Sequence, residues 1–450
     1  MKAVRAPINW VEVVDYAKRY NVQPPKTQYE LPGVTLEDHN GVPVAVPPAW
    51  HAVVTAKVAF TPATLRSAQR RLARALAEVE SIFPLQPNGL LTQIAYGLSY
   101  FEHYLPRDVV GQHMPKAIED GQPARWAIID AIRFPKDPEN IILEQNDVCF
   151  HFKSDYQDNI SAVIRALFYP GEKFLNGIPV ESVNVADLFR VTSIRRGFLG
   201  KNLPKIMATR HRIPGADRIP DGAMLFMGFT SSHVHGLAQG NLPSFETLAG
   251  CTDATPSSYF AGGTAMHLSH ILVDLERWYR LDPGERLHRM FNPRRREGPE
   301  VLSPSQAPDT VTFKDELEQD ARSYNVVGHN AQMRHLIRLE KDTTTAYGER
   351  LARGTVIFLR QDFDTIENPF EYWSDRPVSS VPRPGVHFVG MAPSAQLFER
   401  VRREMDSVEL QQRYGLTDEN VGFTKFLVTT HRQNFLLPPR AHRSFPLAEL

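Results

Sequence analysis

The pattern of apolar residues near the start of the chain predicts a strand that runs into an amphipathic helix. Residues 51–60, HAVVTAKVAF, alternate β-branched residues with others and lead to Thr61-Pro62. That pair suits a helix start, with Thr61 as N-cap and Pro62 in the first turn. The predicted helix carries apolar residues at spacings of three and four, at Leu65, Ala68, Leu72, Leu76 and Val79.

Further strand-helix units follow along the chain. Residues 89–106 predict a strand and an aromatic helix start, 139–168 a strand, a turn and a helix, and 385–405 a short buried strand followed by a helix. In residues 268–293, Leu268 to Tyr279 read as one helical face, and Asp282-Pro283 predicts a second helix start. This order of elements predicts an α+β fold, with an antiparallel sheet covered by helices.

Composition narrows the function classes. Lysine plus arginine and aspartate plus glutamate are 51 each, so charge gives no reason to expect nucleic acid or an anionic membrane as partner. Cys149 and Cys251 are the only cysteines, which excludes a disulfide framework and a thiolate-held metal cluster. No stretch has the apolar length of a signal or membrane segment. We therefore expect a soluble, cytoplasmic protein, with homo-oligomerisation left open.

The segment 324–360 holds the histidine that most needs an explanation. His329 follows Gly328, which permits close backbone approach, and it opens a basic stretch containing Arg334. An apolar run, 355–359, then ends on Arg360. A neutral imidazole is a common metal ligand, but His329 taken alone is explained equally well as a histidine at a helix start.

Several stretches, taken in order, resemble the dye-decolorizing peroxidase superfamily, whose members are heme proteins with two ferredoxin-like α+β halves. The resemblance covers about residues 85–440 and rests on the order of the matches. The matching stretches are GLLTQIAYGLSYFEHYLP, ILEQNDVCFHFKSDYQDNISAVIRALF, DGAMLFMGFTSSHVHG, AGGTAMHLSHILVDLERWYRLDPGERLHRMFN, VVGHNAQMRHL, GTVIFLRQDF and GVHFVGMAPSAQLFERVRREM. The resemblance implies a duplicated ferredoxin-like fold of the dimeric α+β barrel type. It also implies an irregular arm over 1–50, an N-terminal half over 51–220 and a heme-binding half over 221–450.

The resemblance also implies roles for individual residues. His329 corresponds to the proximal ligand of heme b, and Arg360 to the distal arginine that stabilises charge when peroxide is cleaved. Phe388 corresponds to an apolar residue on the distal side. The remaining residues expected near the cofactor are Gly228, Phe229 and Arg334. An acidic partner for His329 is expected at Asp418 or Glu419.

The sequence departs from the family at one catalytic position. Where the family has Gly-Phe-x-Asp-Gly, this chain has Gly228-Phe229-Thr230-Ser231-Ser232, so Ser231 stands in place of the distal aspartate. A serine hydroxyl can relay a hydrogen bond but cannot serve as a carboxylate base at neutral pH. His233, His235 or Asp362 would have to take over that role.

Three hypotheses remain open at this point. The first is a heme-dependent oxidoreductase that uses hydrogen peroxide, or a specialised reaction, on a small-molecule substrate. The second is a heme-binding carrier or sensor without turnover. The third is a two-half α+β scaffold that binds an organic ligand without heme.

Overall fold

The computed structural model describes residues 24–38, 43–179, 183–229, 241–294, 312–367 and 382–450. A large, mostly antiparallel sheet flanked by helices forms its centre, which confirms the predicted α+β class. Within these ranges, no helix combines the length and the hydrophobicity required to cross a bilayer.

The described ranges contain eighteen strands and eleven α-helices. The strands are β1 (Leu36–Asp38), β2 (Pro43–Ala45), β3 (Trp50–Val58), β4 (Leu91–Gly97), β5 (Lys116–Glu119), β6 (Gln122–Trp126), β7 (Ile142–Leu143), β8 (Val148–Ser154), β9 (Phe174–Leu175), β10 (Ile178–Pro179), β11 (Phe189–Phe198), β12 (Thr264–Val273), β13 (Thr343–Thr344), β14 (Arg350–Leu351), β15 (Leu359–Arg360), β16 (Phe363–Thr365), β17 (Gly385–Ala392) and β18 (Leu427–Leu437). The helices are α1 (Leu65–Ile82), α2 (Leu98–Tyr104), α3 (Arg107–His113), α4 (Gln157–Phe168), α5 (Leu203–Arg210), α6 (Leu275–Arg280), α7 (Pro283–Met290), α8 (Phe313–Tyr324), α9 (His329–Ile337), α10 (Ala395–Asp406) and α11 (Val408–Tyr414).

The central sheet closes on itself. From β12 the pairing runs through β17, β16, β11, β3, β8 and β4 to β18, and β18 pairs back with β12. Every pairing within this ring is antiparallel. Outside the ring, β15 adds to β17, and the short β7 runs parallel to β18. Closure leaves the ring strands without a long free edge, and it gives the sheet an inside and an outside.

The ring consists of two groups of strands with the same order of neighbours. The first group lies in the order β11, β3, β8, β4, and the second in the order β18, β12, β17, β16. Within each group the first and third strands in chain order are the central pair. Helices α1 and α4 connect strands of the first group, and α10 connects β17 to β18 in the second.

Helices and sheet bury separate cores on the two sides of the ring. The predicted stripe of α1 is confirmed, since Leu65, Ala68, Leu72, Leu76 and Val79 are all buried, together with Ala75 and Ile82. This stripe packs on the outward side chains of β3, such as Val54 and Ala56. The inward side chains form a second apolar cluster, which includes Val53, Ala95, Cys149, Met266, Leu268, Val389, Met391 and Phe435.

One predicted helix is wrong in part, because Leu268 to Val273 belong to strand β12. This strand is paired on both sides and covered on both faces, so its apolar residues run almost continuously and also match a helical spacing. The helix begins only at Leu275, where the Asp274 side chain accepts a hydrogen bond from the Arg277 backbone N–H. The second start is confirmed, since Asp282 accepts from the Glu285 N–H.

A buried ion-pair network ties the loop before β7 to the second strand group. Arg432 on β18 donates to both carboxylate oxygens of Asp137, at 2.6 and 3.0 Å, and both side chains are 1% exposed. Arg402 on α10 also donates to Asp137, at 3.3 Å. Arg402 also pairs with the buried Asp406, so two carboxylates balance two guanidinium groups that have little access to water.

We expect Asp137→Ala to lower the free energy of unfolding by about 3–5 kcal/mol, because it leaves Arg432 charged and unpaired in the interior. Denaturant unfolding would measure this loss. The control is Asp187→Ala, which removes a pair with Arg71 whose side chains are 63% and 44% exposed and should cost about 0–1 kcal/mol. Equal losses in the two variants would contradict the assigned role of Asp137.

Candidate functional site

His329 is the first residue of helix α9, and close packing fixes its position. Gly328 precedes the helix as its N-cap. A Cβ atom on Gly328 would lie 2.2 Å from the carbonyl oxygen of Phe291 and 2.7 Å from that of His288. Only glycine therefore lets the start of α9 approach the end of α7 this closely.

The imidazole of His329 is buried and uncharged at neutral pH. Its residue surface is 8% exposed, and its Nδ1 atom has no hydrogen-bond partner among the described residues. The ring lies 4.1 Å from the ring of Phe423, measured between centroids. Burial, with smaller contributions from the positive charges of Arg360 and Arg402, lowers the pKa of His329 to about 3. The positive charge of Arg360 therefore acts on the imidazole of His329.

The expectation that Asp418 or Glu419 orients His329 is wrong. Asp418 accepts hydrogen bonds from Lys136 at 2.6 Å and from Gln411 at 2.8 Å. Glu419 pairs with Lys425 and with Arg277. Both carboxylate side chains are 61% exposed, and their partners hold them at the surface.

Arg360 forms a pair with a buried carboxylate. Its Nη1 atom lies 3.7 Å from Oδ2 of Asp362, and its side chain is 42% exposed whereas that of Asp362 is 8% exposed. The backbone N–H of Val389 donates to Oδ1 of Asp362 at 3.1 Å. Burial raises the pKa of Asp362 to about 6, and the charge of Arg360 opposes that rise. A carboxyl with this pKa can both hold and release a proton near neutral pH.

A second carboxylate, Asp364, is buried two residues further along. It is 0% exposed, and no hydrogen bond of normal geometry reaches either of its oxygens within the described ranges. Burial raises its pKa well above the usual value, although the Phe226 backbone N–H lies close enough to oppose the shift, and the charge of Asp362 adds to it. Sequence reasoning missed Asp364. The available signal was the alternation Asp362-Phe363-Asp364, which places two carboxylates on one face of a strand.

The loop before the Ser231 position reaches this neighbourhood. Gly228 has a φ of +86°, and a Cβ there would lie 2.6 Å from the hydroxyl of Tyr279. The ring of Phe229 meets the ring of Phe291 edge to face at 5.3 Å between centroids. Since the Phe291 carbonyl also contacts Gly328, the two segments converge on the end of α7. The residues predicted to take the place or the role of the family's distal aspartate in this loop lie outside the described residues. They are Ser231, His233 and His235.

Two of the predicted cofactor residues have other neighbours. Phe388 on β17 lies 6.2, 6.4 and 6.0 Å, between ring centroids, from His267, Phe358 and Phe398. Arg334 on α9 donates to Glu316 at 2.9 Å and lies over the ring of Phe313. The contacts of these two side chains thus do not include His329 or Arg360, and their roles toward a cofactor stay predictions.

The chemistry of these side chains fits a heme better than a metal held by protein alone. No group of three or more His, Cys, Asp or Glu that could hold an ion occurs among the residues with described positions. Heme iron needs only one axial nitrogen from the protein, and a buried neutral imidazole such as that of His329 meets this need. A guanidinium on the facing side stabilises negative charge without titrating.

Comparisons with known proteins place the chain in a family and identify its fold. Residues 48–439 match a protein-family model described as a family of unknown function, DUF7405. No curated protein matches the sequence. The crystal structure of a DyP-type peroxidase from Cellulomonas bogoriensis superposes with a TM-score of 0.50 at 17% identity, covering 92% of this chain and 99% of that chain. At this identity the likeness shows a shared fold.

Two further solved structures are similar. One is a dye-decolorizing peroxidase from Bacteroides thetaiotaomicron VPI-5482, with a TM-score of 0.49, 14% identity and coverage of 94% of this chain and 98% of that chain. The other is a DypB variant from Rhodococcus jostii RHA1 in complex with heme, with a TM-score of 0.49, 14% identity and coverage of 88% and 96%.

The raised pKa of Asp362 predicts a pH-dependent effect of Asp362→Asn on stability. The folded protein holds the Asp362 proton more tightly than the unfolded chain, so wild type loses stability as pH rises from about 4 through 6. A shift of about two pKa units corresponds to about 3 kcal/mol. We therefore expect the stability of Asp362→Asn relative to wild type to increase by up to about 3 kcal/mol between pH 4 and pH 7.5. Urea unfolding at both values measures it, and a constant difference would contradict the assignment.

Proposed function

The chain belongs to a family of unknown function, DUF7405, and we propose that it is a heme b-dependent oxidoreductase that uses peroxide to oxidise a small organic substrate. One observation carries the proposal. The imidazole of His329 is buried and uncharged, and its Nδ1 has no partner among the described residues. It lies within electrostatic range of the guanidinium of Arg360. These are the two groups that the resemblance to dye-decolorizing peroxidases assigns to opposite sides of a heme.

Bound heme would supply the redox-active iron at which peroxide reacts. His329 is the residue proposed to hold it, and burial keeps that ring neutral so that a nitrogen lone pair is available. The packing of Gly328 against the end of α7 and the contact with Phe423 restrict the orientation of the ring. Orientation by packing takes the place of the acidic partner that the family pattern led us to expect.

Arg360 and Asp362 are the residues proposed to act on the peroxide side. A guanidinium such as that of Arg360 can attract and stabilise an anionic oxygen. Asp362 Oδ2 lies 3.7 Å from Arg360 Nη1 and can hold a proton at a pH close to 6. We propose that Asp362 supplies the acid-base function that Ser231 cannot perform.

The fold supports a finer architectural proposal. The strand orders β11-β3-β8-β4 and β18-β12-β17-β16 match the central-pair arrangement of a ferredoxin-like unit. We propose that residues 51–220 and 221–450 are two such halves, that the second half binds the heme, and that residues 1–50 form an N-terminal arm that precedes them.

A second candidate function is heme binding without turnover. Two observations favour it: Ser231 replaces the carboxylate expected in the loop, and no acceptor in the described part of the chain meets the Nδ1 atom of His329. A carrier or sensor needs the ligand but not the acid-base group. The two functions therefore share His329 and differ in what Asp362 and the 230–240 loop must do.

We expect His329→Ala to abolish the Soret band that appears when hemin is titrated into the purified protein, because the variant lacks the imidazole that would hold the heme. The matched control is His335→Ala in the same helix, whose ring lies 3.8 Å from Glu404. That variant should bind hemin with near wild-type affinity. Wild-type protein that develops no Soret band would end both heme hypotheses, and a normal band in His329→Ala would remove His329 from the site.

Restoring a carboxylate in the loop tests catalysis. If Ser231 occupies the position of the family aspartate, Ser231→Asp should increase the rate of peroxide consumption by hemin-loaded protein by roughly tenfold or more, toward the two to four decades typical of general acid-base groups. Stopped-flow spectroscopy would follow the reaction, with Ser232→Asp as the neighbouring control. Equal rates in both variants and wild type would show that Ser231 does not face the peroxide.

A further inference from the structure

A cleft outside the candidate heme site has the chemistry of a ligand site. Its volume is about 210 Å³, and it lies where the start of β3, the start of α4, the end of β11 and the end of α5 meet. Neither His329 nor Arg360 lines it. Its existence therefore does not depend on whether the protein binds heme.

Two cations in the cleft form no direct ion pair. Arg196 on β11 and Arg210 at the end of α5 both line the cleft, and neither lies within ion-pair distance of a carboxylate in the described part of the chain. The guanidinium of Arg210 makes a weak polar contact with the sulfur of Met207, at 3.9 Å. Unpaired guanidinium groups at a concave surface concentrate positive potential and favour an anion.

One part of the remaining wall is apolar and aromatic, and another part carries the polar side chains of Gln157, Ser161 and His211. Trp50 and Phe198 meet edge to face at 6.3 Å between ring centroids, and Ala52, Ile160, Met207 and Ile366 extend the apolar part. A small, strongly hydrated anion would leave this surface unused, whereas an aromatic ring would cover it. The volume is below the roughly 300–1,000 Å³ of pockets for drug-sized ligands, so the ring must belong to a small molecule.

The acidic residue of the lining lowers the net positive charge of the cleft, and this net charge determines which ligand charge fits. Glu367 lies at the exposed rim, and the charge of Arg196 acts on its carboxyl group. With His51 and His211 of the lining counted as neutral, two arginines and one glutamate give a formal net charge of about +1, which a monoanion balances. A phosphate group carries about −1.5 to −2 at pH 7 and matches this site less well. Arginine also pairs with a carboxylate through two parallel hydrogen bonds.

We propose that this cleft binds a small aromatic carboxylate, with the carboxylate on Arg196 and Arg210 and the ring against Trp50 and Phe198. His51 forms part of the floor and does not compete for the anion, because its two ring nitrogens already contact His151 Nε2 at 3.0 Å and the Pro48 carbonyl at 2.9 Å. The site is separate from the proposed heme function, and hemin need not be present for it to bind.

Calorimetric titration of the hemin-free full-length chain with benzoate tests the proposal. We expect a dissociation constant of roughly 0.1–1 mM, as is usual for a ligand of this size. Arg196→Gln and Arg210→Gln should each weaken binding by about tenfold or more, because each removes a charged hydrogen bond. Glu367→Gln should strengthen it. The matched control Arg190→Gln lies on the same strand but outside the cleft and should bind benzoate as wild type does.

Two other probes separate the charge from the ring. Benzamide, which keeps the ring but is neutral, should bind at least tenfold more weakly than benzoate, and inorganic phosphate should not displace benzoate at equal concentration. The proposal is overturned if benzoate fails to bind, if benzamide binds equally well, if phosphate displaces benzoate, or if both arginine variants retain wild-type affinity. Each variant is checked by its thermal unfolding curve. If Arg196→Gln is unfolded, the benzoate affinity of Arg210→Gln, whose position is exposed, tests the proposal by itself.

Discussion

The pairing of β12 with both β17 and β18 is the constraint on which the rest of the structure depends, because it closes the sheet into a ring. Closure deprives every inward side chain of bulk water. Lys153 is 0% exposed, its Nζ has no partner among the described residues, and burial lowers its pKa well below the usual value. His51, His151 and His387 are also buried there, with lowered pKa values for the same reason. Burial therefore favours the neutral forms of this lysine and these histidines, whereas the buried Arg195 pairs with Glu144 at 2.6 Å.

The outer face of the second strand group shows two ways of burying polar groups. At Asp137 and Arg432 opposite charges meet, so both side chains stay ionised in a dry environment. Within the described ranges, no partner of opposite charge contacts His329 or Asp364. Burial lowers the pKa of His329 and raises that of Asp364, so both side chains favour their neutral forms. The first arrangement holds the fold together. The second leaves polar atoms available to a ligand, which is why the candidate site lies there.

Strand β16 and its flanking residues link the two sites of interest. Arg360, before β16, belongs to the candidate heme site, and Ile366, just after it, lines the cleft. Between them, Thr365 donates to the backbone carbonyl of Arg196 at 2.8 Å. The same fold can host unrelated functions, so the likeness to DyP-type peroxidases defines the scaffold, and the functional argument depends on the side chains placed along this strand.

Local patterns in the sequence determined many individual elements. Spacing and capping depend on neighbours within a few residues, so elements defined by them could be predicted. These elements are the apolar stripe of α1, the strand and helix within 139–168, the strand and helix within 385–405, and the N-cap at Asp282. The same reasoning failed at Leu268 to Val273. A strand covered on both faces has no alternation that would distinguish it from a buried helix.

Only the tertiary structure decided which residues share an environment. Contacts between residues far apart in the chain close the ring and bury Asp362 and Asp364. Such contacts also place Asp418 at the surface and form the cleft at Arg196. The sequence by itself determined that a histidine, an arginine and a serine stand at positions resembling those of a heme protein. Whether such groups are charged depends on how much water surrounds them, and that is a property of the packed fold.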